Sequence, residues 1–243
     1  MTAGPSACTL PLVTGMPRQW WRLGGVAAIL FVGVFVVGVA LQDAPPLVDD
    51  PVDDIRRDWV EGGQQYLVAG YVLGLGFVLF YIPFMLVLRT LLGRAEGGIE
   101  LWSRASLVGA FTTLLWGIWS GMFWGALAFG DFAATASDET LRTLSVLDYY
   151  AVSGAPFAFA VFIGAASIVI ARTGVLWRWL AYLGAIEVVL SLLAPLAILS
   201  AGTDSVFDVV YLLAFLGFAL WILLVGIAMV ARREEPGVAS APA

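Results

Sequence analysis

Six stretches of this chain run for 19 to 27 residues with almost no charge, and they dominate what it can fold into. Cut at charged residues, they are 23–41, 62–88, 105–130, 149–171, 179–203 and 209–231, together 143 of the 243 residues. Only the fifth holds a charge, Glu187. A helix needs about 20 apolar residues to cross the ~30 Å hydrocarbon core, and each run has that length with slack for tilt. The alternating pattern of a membrane β-barrel is absent. Composition agrees. The chain is 61% hydrophobic and 12% charged, against roughly 45–50% apolar and about 25% charged in a soluble domain. The expectation is an all-α polytopic membrane protein, a single bundle of six transmembrane helices. Its spans fall near 23–41, 64–88, 105–130, 147–171, 179–201 and 209–231. Tails of 1–22 and 232–243 flank them, and 42–63 forms an acidic outer loop.

The first run also invites a signal-peptide reading, with Gly38-Val39-Ala40 as a small-x-small cleavage site. A signal h-region is usually ~7–15 residues, and this run is longer, so it reads as an uncleaved helix.

Charge placement orients the bundle. With the N-terminus inside, nine arginines fall on inner segments; only Arg56, Arg57 and Arg142 fall outside. Acidic residues sort the other way, twelve outside and four inside. Arginine on the cytoplasmic side is the expected bias, so both termini are read as cytoplasmic. Trp20, Trp21, Trp102, Trp177 and Trp179 stand at the inner boundary, and Trp59, Tyr66, Tyr149 and Tyr150 near the outer one, as aromatic belts do. In the outer loop, Asp50-Pro51 reads as an N-cap and N1 proline. Val52, Ile55 and Trp59 then share one face, which predicts a short helix lying on the outer leaflet. Ser137 or Asp138 caps the fourth helix.

Glu187 is the sharpest single feature. It lies nine residues past Arg178, roughly 13 Å into the core. An ionisable group there is costly, so it faces the bundle interior and marks a candidate polar site. Gly184, Ser191 and Ala194 share its face. Tyr81, Thr112 and Thr113 lie at matching depth, and a hydrogen bond from Tyr81 or Thr112 to Glu187 is expected. A structural interhelical hydrogen bond competes with a functional role. Asp148, near the outer end of the fourth helix, is read as reaching water.

Helix packing and pocket shape give further candidates. Gly117, Gly121 and Gly125 make a ridge at four-residue spacing, and Gly70 and Gly74 a shorter one. Such ridges let backbones approach within the chain or between two copies, which makes a homo-oligomer seam a candidate. Trp116, Trp119 and Phe123 form a stripe with Ser120 beside it. Together with Ser191 they are candidates to line an apolar pocket. Pro83, Pro156 and Pro195 are candidate kinks. Leu101-Trp102 and Leu176-Trp177 are each followed, seven residues after the Trp, by Gly-Ala. That faint repeat also arises in any helix entering from the cytoplasm.

The residue inventory excludes much chemistry. There is no His and no Lys; all 12 basic residues are Arg. This removes His-ligated haem and zinc, Ser-His dyads, Lys Schiff bases and P-loop phosphate binding. The single cysteine, Cys8, forms no intrachain disulfide. No metal site, cofactor or nucleic-acid partner is expected; the partner is the lipid bilayer.

The segment Arg172-Thr-Gly-Val-Leu-Trp-Arg-Trp-Leu-Ala-Tyr-Leu-Gly184, the opening Trp20-Trp21-Arg22-Leu23-Gly24-Gly25 and the stretch Tyr66-Leu67-Val68-Ala69-Gly70-Tyr71 are similar to a family of bacterial, mainly actinobacterial, six-helix membrane proteins grouped as a domain of unknown function. The version with a Pro before Arg-Trp-Leu differs here, where Trp177 stands. The resemblance covers 20–231. It implies a six-helix bundle in the bacterial cytoplasmic membrane and carries over no catalytic residue. The leading expectation is therefore a non-enzymatic multi-pass protein that packs, oligomerises or binds a partner. The alternative is a small carrier, or a protein that binds lipid or an apolar ligand, centred on Glu187. A membrane-embedded enzyme is the weakest reading.

Overall fold

The computed structural model describes residues 18–42, 50–200 and 206–232. Cys8 lies outside them. Among the described residues every regular element is helical, and six helices are long and apolar enough to cross a membrane. Helix α1 is Arg18–Ala40. The second candidate span is α2, Val52–Gly76, then a π-turn, Phe77–Tyr81, then α3, Ile82–Glu96. Helix α4 is Leu101–Ala128, α5 the short Phe132–Thr135, and α6 Asp138–Thr173. The fifth candidate span is α7, Trp179–Leu193, continued by a 3-10 turn, Ala194–Ser200; α8 is Val206–Ala231.

Helix α6 is the centre of the bundle. Its apolar stretch is 72% buried, against 28% for that of α4. It packs against α4 on one side and α7 on another, and small residues make this possible. On α4, a Cβ at Gly109 would meet the backbone of Val161 and Phe162 of α6. On α7, a Cβ at Gly184 would meet Ser167 and Ile163 of α6. These are the two glycines of the faint Leu-Trp repeat, so both repeat units dock on α6. Helices α1 and α8 meet in the same way, Gly25 against the Gly226 carbonyl and Gly226 against that of Gly25.

The three prolines behave differently. Pro83 follows the π-turn, where the Ile82 N–H bonds the Phe77 carbonyl five residues back. The wide turn absorbs the donor that proline lacks and leaves Tyr81 fully buried. At Pro195, α7 tightens into the 3-10 turn. Helix α6 runs through Pro156 with no change of helix type.

The acidic end also departs from expectation. Residues 52–65 are the first turns of α2, not a separate helix on the leaflet. Pro51, rather than Asp50, is the N-cap, with Asp53 and Asp54 in the first turn. The shared face of Ile55 and Trp59 is buried against Leu127, Ala133 and Leu141, so its apolar foothold is protein. Arg56 fixes this cap. It donates to the carbonyls of Ala133 (2.6 Å) and Ala136 (3.0 Å) and pairs with Asp138 (2.6 Å). Ser137 caps α6, accepting from the Thr140 N–H at 3.3 Å.

At the arginine-rich end, Arg94 lies 5.7 Å from the Trp21 ring and Arg172 5.9 Å from the Trp102 ring. Glu96 accepts the backbone N–H groups of Trp102 (2.9 Å) and Ser103 (2.8 Å). Those are first-turn donors of α4 that have no partner within the helix. Arg89 pairs with Glu100 at 2.5 Å. The tryptophans Trp21 and Trp102 thus serve as cation–π partners that tie α1 to α3 and α4 to α6.

Candidate buried polar sites

Glu187 is 3% exposed and sits on the α7 face that also buries Leu180, Gly184 and Ser191. Its Oε1 accepts from the Ser191 hydroxyl at 2.9 Å, one turn along the same helix. Its Oε2 occupies the place where a Cβ of Gly217 on α8 would stand. Gly217 therefore makes room for the carboxylate. One turn back on α7, Gly184 receives the Ser167 oxygen of α6 in the same manner, and the Trp221 indole of α8 donates to the Leu180 carbonyl at 3.1 Å. Three helices thus converge on one polar seam.

The expected partners lie elsewhere. Tyr81 donates to the Ala110 carbonyl at 3.3 Å, within reach of the Thr113 hydroxyl. Its ring packs among Phe31, Phe77, Phe162 and Phe218. Thr112 and Thr113 bond carbonyls of their own helix, Val108 (2.9 Å) and Gly109 (3.0 Å). The proposed Tyr81 and Thr112 bonds to Glu187 are therefore incorrect. Matching depth does not fix which side of α6 a residue stands on.

Asp148 forms a second buried site. It is 9% exposed rather than open to water. Its Oδ1 accepts from the Ser120 hydroxyl at 2.9 Å and its Oδ2 from the Trp124 indole at 2.8 Å. Ser120 and Trp124 are one turn apart on α4, so a single face of that helix supplies both donors. Tyr211 of α8 lies within electrostatic reach of Asp148 and Tyr149, and its hydroxyl is buried without a hydrogen-bond partner. Tyr149 donates to the Ala197 carbonyl in the 3-10 turn at 3.2 Å.

The expected pocket set is split between these sites. Trp116 fills the space above Gly154 of α6 and stacks on Trp119 with ring centroids 6.0 Å apart. Trp119 is 57% exposed on the outer surface of the bundle. Phe123 is half-buried. Ser120 belongs to Asp148 and Ser191 to Glu187, so the five residues do not line one cavity.

The glycine ridges are not the seams that close the chain. A Cβ at Gly70, Gly74, Gly121 or Gly125 would meet nothing within 4 Å. At Gly117 a Cβ would first meet the Phe77 side chain, at 3.3 Å. Register is set by Gly63 against Ala128 and by Tyr66 against Trp124, ring centroids 6.1 Å apart, above. Below, it is set by Phe77 against Gly117. By helical spacing, Gly70 of α2 and Gly121 of α4 then stand at one level on facing sides, with space between them. Among the described residues no group of acids and cysteine is placed to hold a metal ion.

No family model, curated protein or solved structure matches this chain.

Proposed function

We propose that the chain is a six-pass protein of the bacterial cytoplasmic membrane, with both termini in the cytoplasm, that works by assembly with a second copy of itself rather than by catalysis. The orientation rests on the sorted arginines and acids. The bacterial placement rests on the resemblance to the six-helix family. The assembly reading rests on one observation: at four glycines of α2 and α4 a Cβ would meet nothing of this chain within 4 Å, which leaves an open face of small residues. In lipid, where helices associate by packing, such a face accepts another helix at close approach. Paired-carboxylate catalysis has little support, since Asp148 and Glu187 each have donors of their own on different helices.

Gly121→Leu tests this reading. The wild-type chain in mild detergent is expected to have the mass of two copies. The variant, whose side chain projects from this face, is expected to have the mass of one while keeping the wild-type melting temperature. A monomeric wild type, or a variant that still dimerises, contradicts assembly through this face.

A further inference from the structure

Glu187 belongs to a helix seam that crosses almost the whole bundle and that assembly through the α2–α4 face does not use. On α6, Tyr149, Ser153, Pro156, Ala160, Ile163 and Ser167 recur at steps of three and four, so they share one face. Contacts at both ends show that this face meets α7 and its 3-10 extension. Ser167 and Ile163 lie against Gly184, and Tyr149 bonds the Ala197 carbonyl. Gly184, Glu187 and Ser191 of α7 and Ala194 of its 3-10 extension are buried along the seam, Gly184 against Ser167 of α6 and Glu187 against Gly217 of α8, and Trp221 closes it from α8. Eighteen residues separate Tyr149 from Ser167, about 27 Å of helix against a hydrocarbon core of ~30 Å.

Tyr149, Ser153, Ser167, Glu187 and Ser191 are the polar members of the seam, and two hydroxyls in or beside it are unsatisfied. The Ser167 oxygen, on a residue 6% exposed, has no hydrogen-bond partner; nor has the buried Tyr211 hydroxyl. They flank Glu187, one toward the arginine-rich end and the other beside Asp148 toward the acidic end. Pro156 and Pro195 add to the seam, because neither can donate an N–H to the carbonyl one turn before it, those of Val152 and Ser191. A buried hydroxyl without a partner costs free energy, and a bridging water removes that cost.

We propose that the α6–α7–α8 seam is a proton path through the membrane, with the Glu187 carboxylate as its central proton-binding group and water as the carrier between side chains. A hydronium ion entering at the acidic end passes Tyr149 and Tyr211. One of its O–H bonds breaks as one forms on a Glu187 oxygen, leaving water. The reverse transfer, to a water beside Ser167, restores the carboxylate and delivers the proton to the arginine-rich end. Atoms and charge balance with no other reactant, and the transmembrane gradient supplies the direction. Glu187 suits this role because no charged group among the described residues acts on it. Besides its own Ser191, α6 presents Ser167 to the seam and α8 presents Gly217 and Trp221. The other titratable groups, Asp148, Tyr149, Asp208 and Tyr211, gather at the acidic end. Buried acids of this kind mark proton relays in membrane proteins.

The test is proton flux in vesicles of phosphatidylethanolamine and phosphatidylglycerol containing the full chain, a trapped pH-sensitive dye, and a potassium gradient with valinomycin. The interior pH of wild-type vesicles is expected to change faster than that of protein-free vesicles. Glu187→Gln is expected to return the rate to the protein-free level. Ser167→Ala guards against misfolding of that variant. Losing an unpartnered hydroxyl leaves the melting temperature at or above wild type, yet the flux is expected to fall several-fold. A wild-type rate equal to that of protein-free vesicles overturns the proposal. So does a folded Glu187→Gln or Ser167→Ala protein that conducts as wild type does.

Discussion

Gly109→Ala is expected to destabilise the bundle by more than about 3 kcal/mol, and Gly109→Val to prevent stable folding. The added methyl of alanine would land on the backbone of Phe162, with the carbonyl carbon of Val161 at 2.9 Å. Backbone cannot swing aside as a side-chain tip can, so α4 and α6 must separate along their shared face. That face also carries the Trp116 contact on Gly154 and both hydrogen bonds to Asp148, and separation weakens all of them together. Gly33→Ala is the matched control. Its Cβ meets nothing within 4 Å, so only the helix-propensity gain of up to about 1 kcal/mol remains. Reversible unfolding in mixed micelles reads the difference directly. A Gly109→Ala protein as stable as wild type contradicts the close α4–α6 approach.

Gly217→Ala is expected to cost about 1–3 kcal/mol, the range of overpacking and of a displaced buried polar group. The new methyl takes the place of the Glu187 oxygen. The carboxylate then gives up its bond to Ser191 or turns toward apolar side chains. The coupling is the sharper signature. In a Glu187→Ala background the same glycine substitution is expected to cost nothing further, because the methyl fills part of the vacated space. A double-mutant cycle between residues in contact yields interaction energies of about 0.5–3 kcal/mol. Additive losses would mean that Glu187 and Gly217 do not touch.

These expectations show where the sequence was legible and where it was not. Span number and helix class follow from the lengths of the uncharged runs, a one-dimensional property. The burial of Glu187 with Gly184 and Ser191 follows from spacing along a single helix. Its surroundings do not. Depth counting placed Tyr81 and Thr112 beside it, but depth fixes height in the bundle and leaves the angle around it free. The nearest donor proved to be the serine one turn along on the same helix.

The glycines teach the same lesson. Spacing singled out Gly117, Gly121 and Gly125, whereas the tight contacts belong to Gly25, Gly109, Gly184, Gly217 and Gly226. Which glycine packs depends on the rotation of each helix against its neighbours, and the spacing within one helix does not carry that information. Asp148 was missed for a related reason. It stands at the end of an apolar run, and its two donors come from another helix, 24 and 28 residues away. Val52, Ile55 and Trp59 were correctly placed on one apolar face, but an apolar face does not say whether lipid or protein covers it.

The proposed orientation puts the arginine-rich end of the six-span bundle in the cytoplasm. It is tested most directly by labelling single cysteines, in a Cys8→Ser background, with a membrane-impermeant maleimide on intact cells. Ile99 and Thr173 are exposed at the arginine-rich end, and Glu61 and Ala134 at the acidic end. Cysteines at 61 and 134 are expected to label on intact cells, and those at 99 and 173 only after the membrane is opened. Labelling of 99 or 173 on intact cells, with 61 and 134 protected, would contradict the orientation, and labelling of all four would contradict the membrane bundle itself.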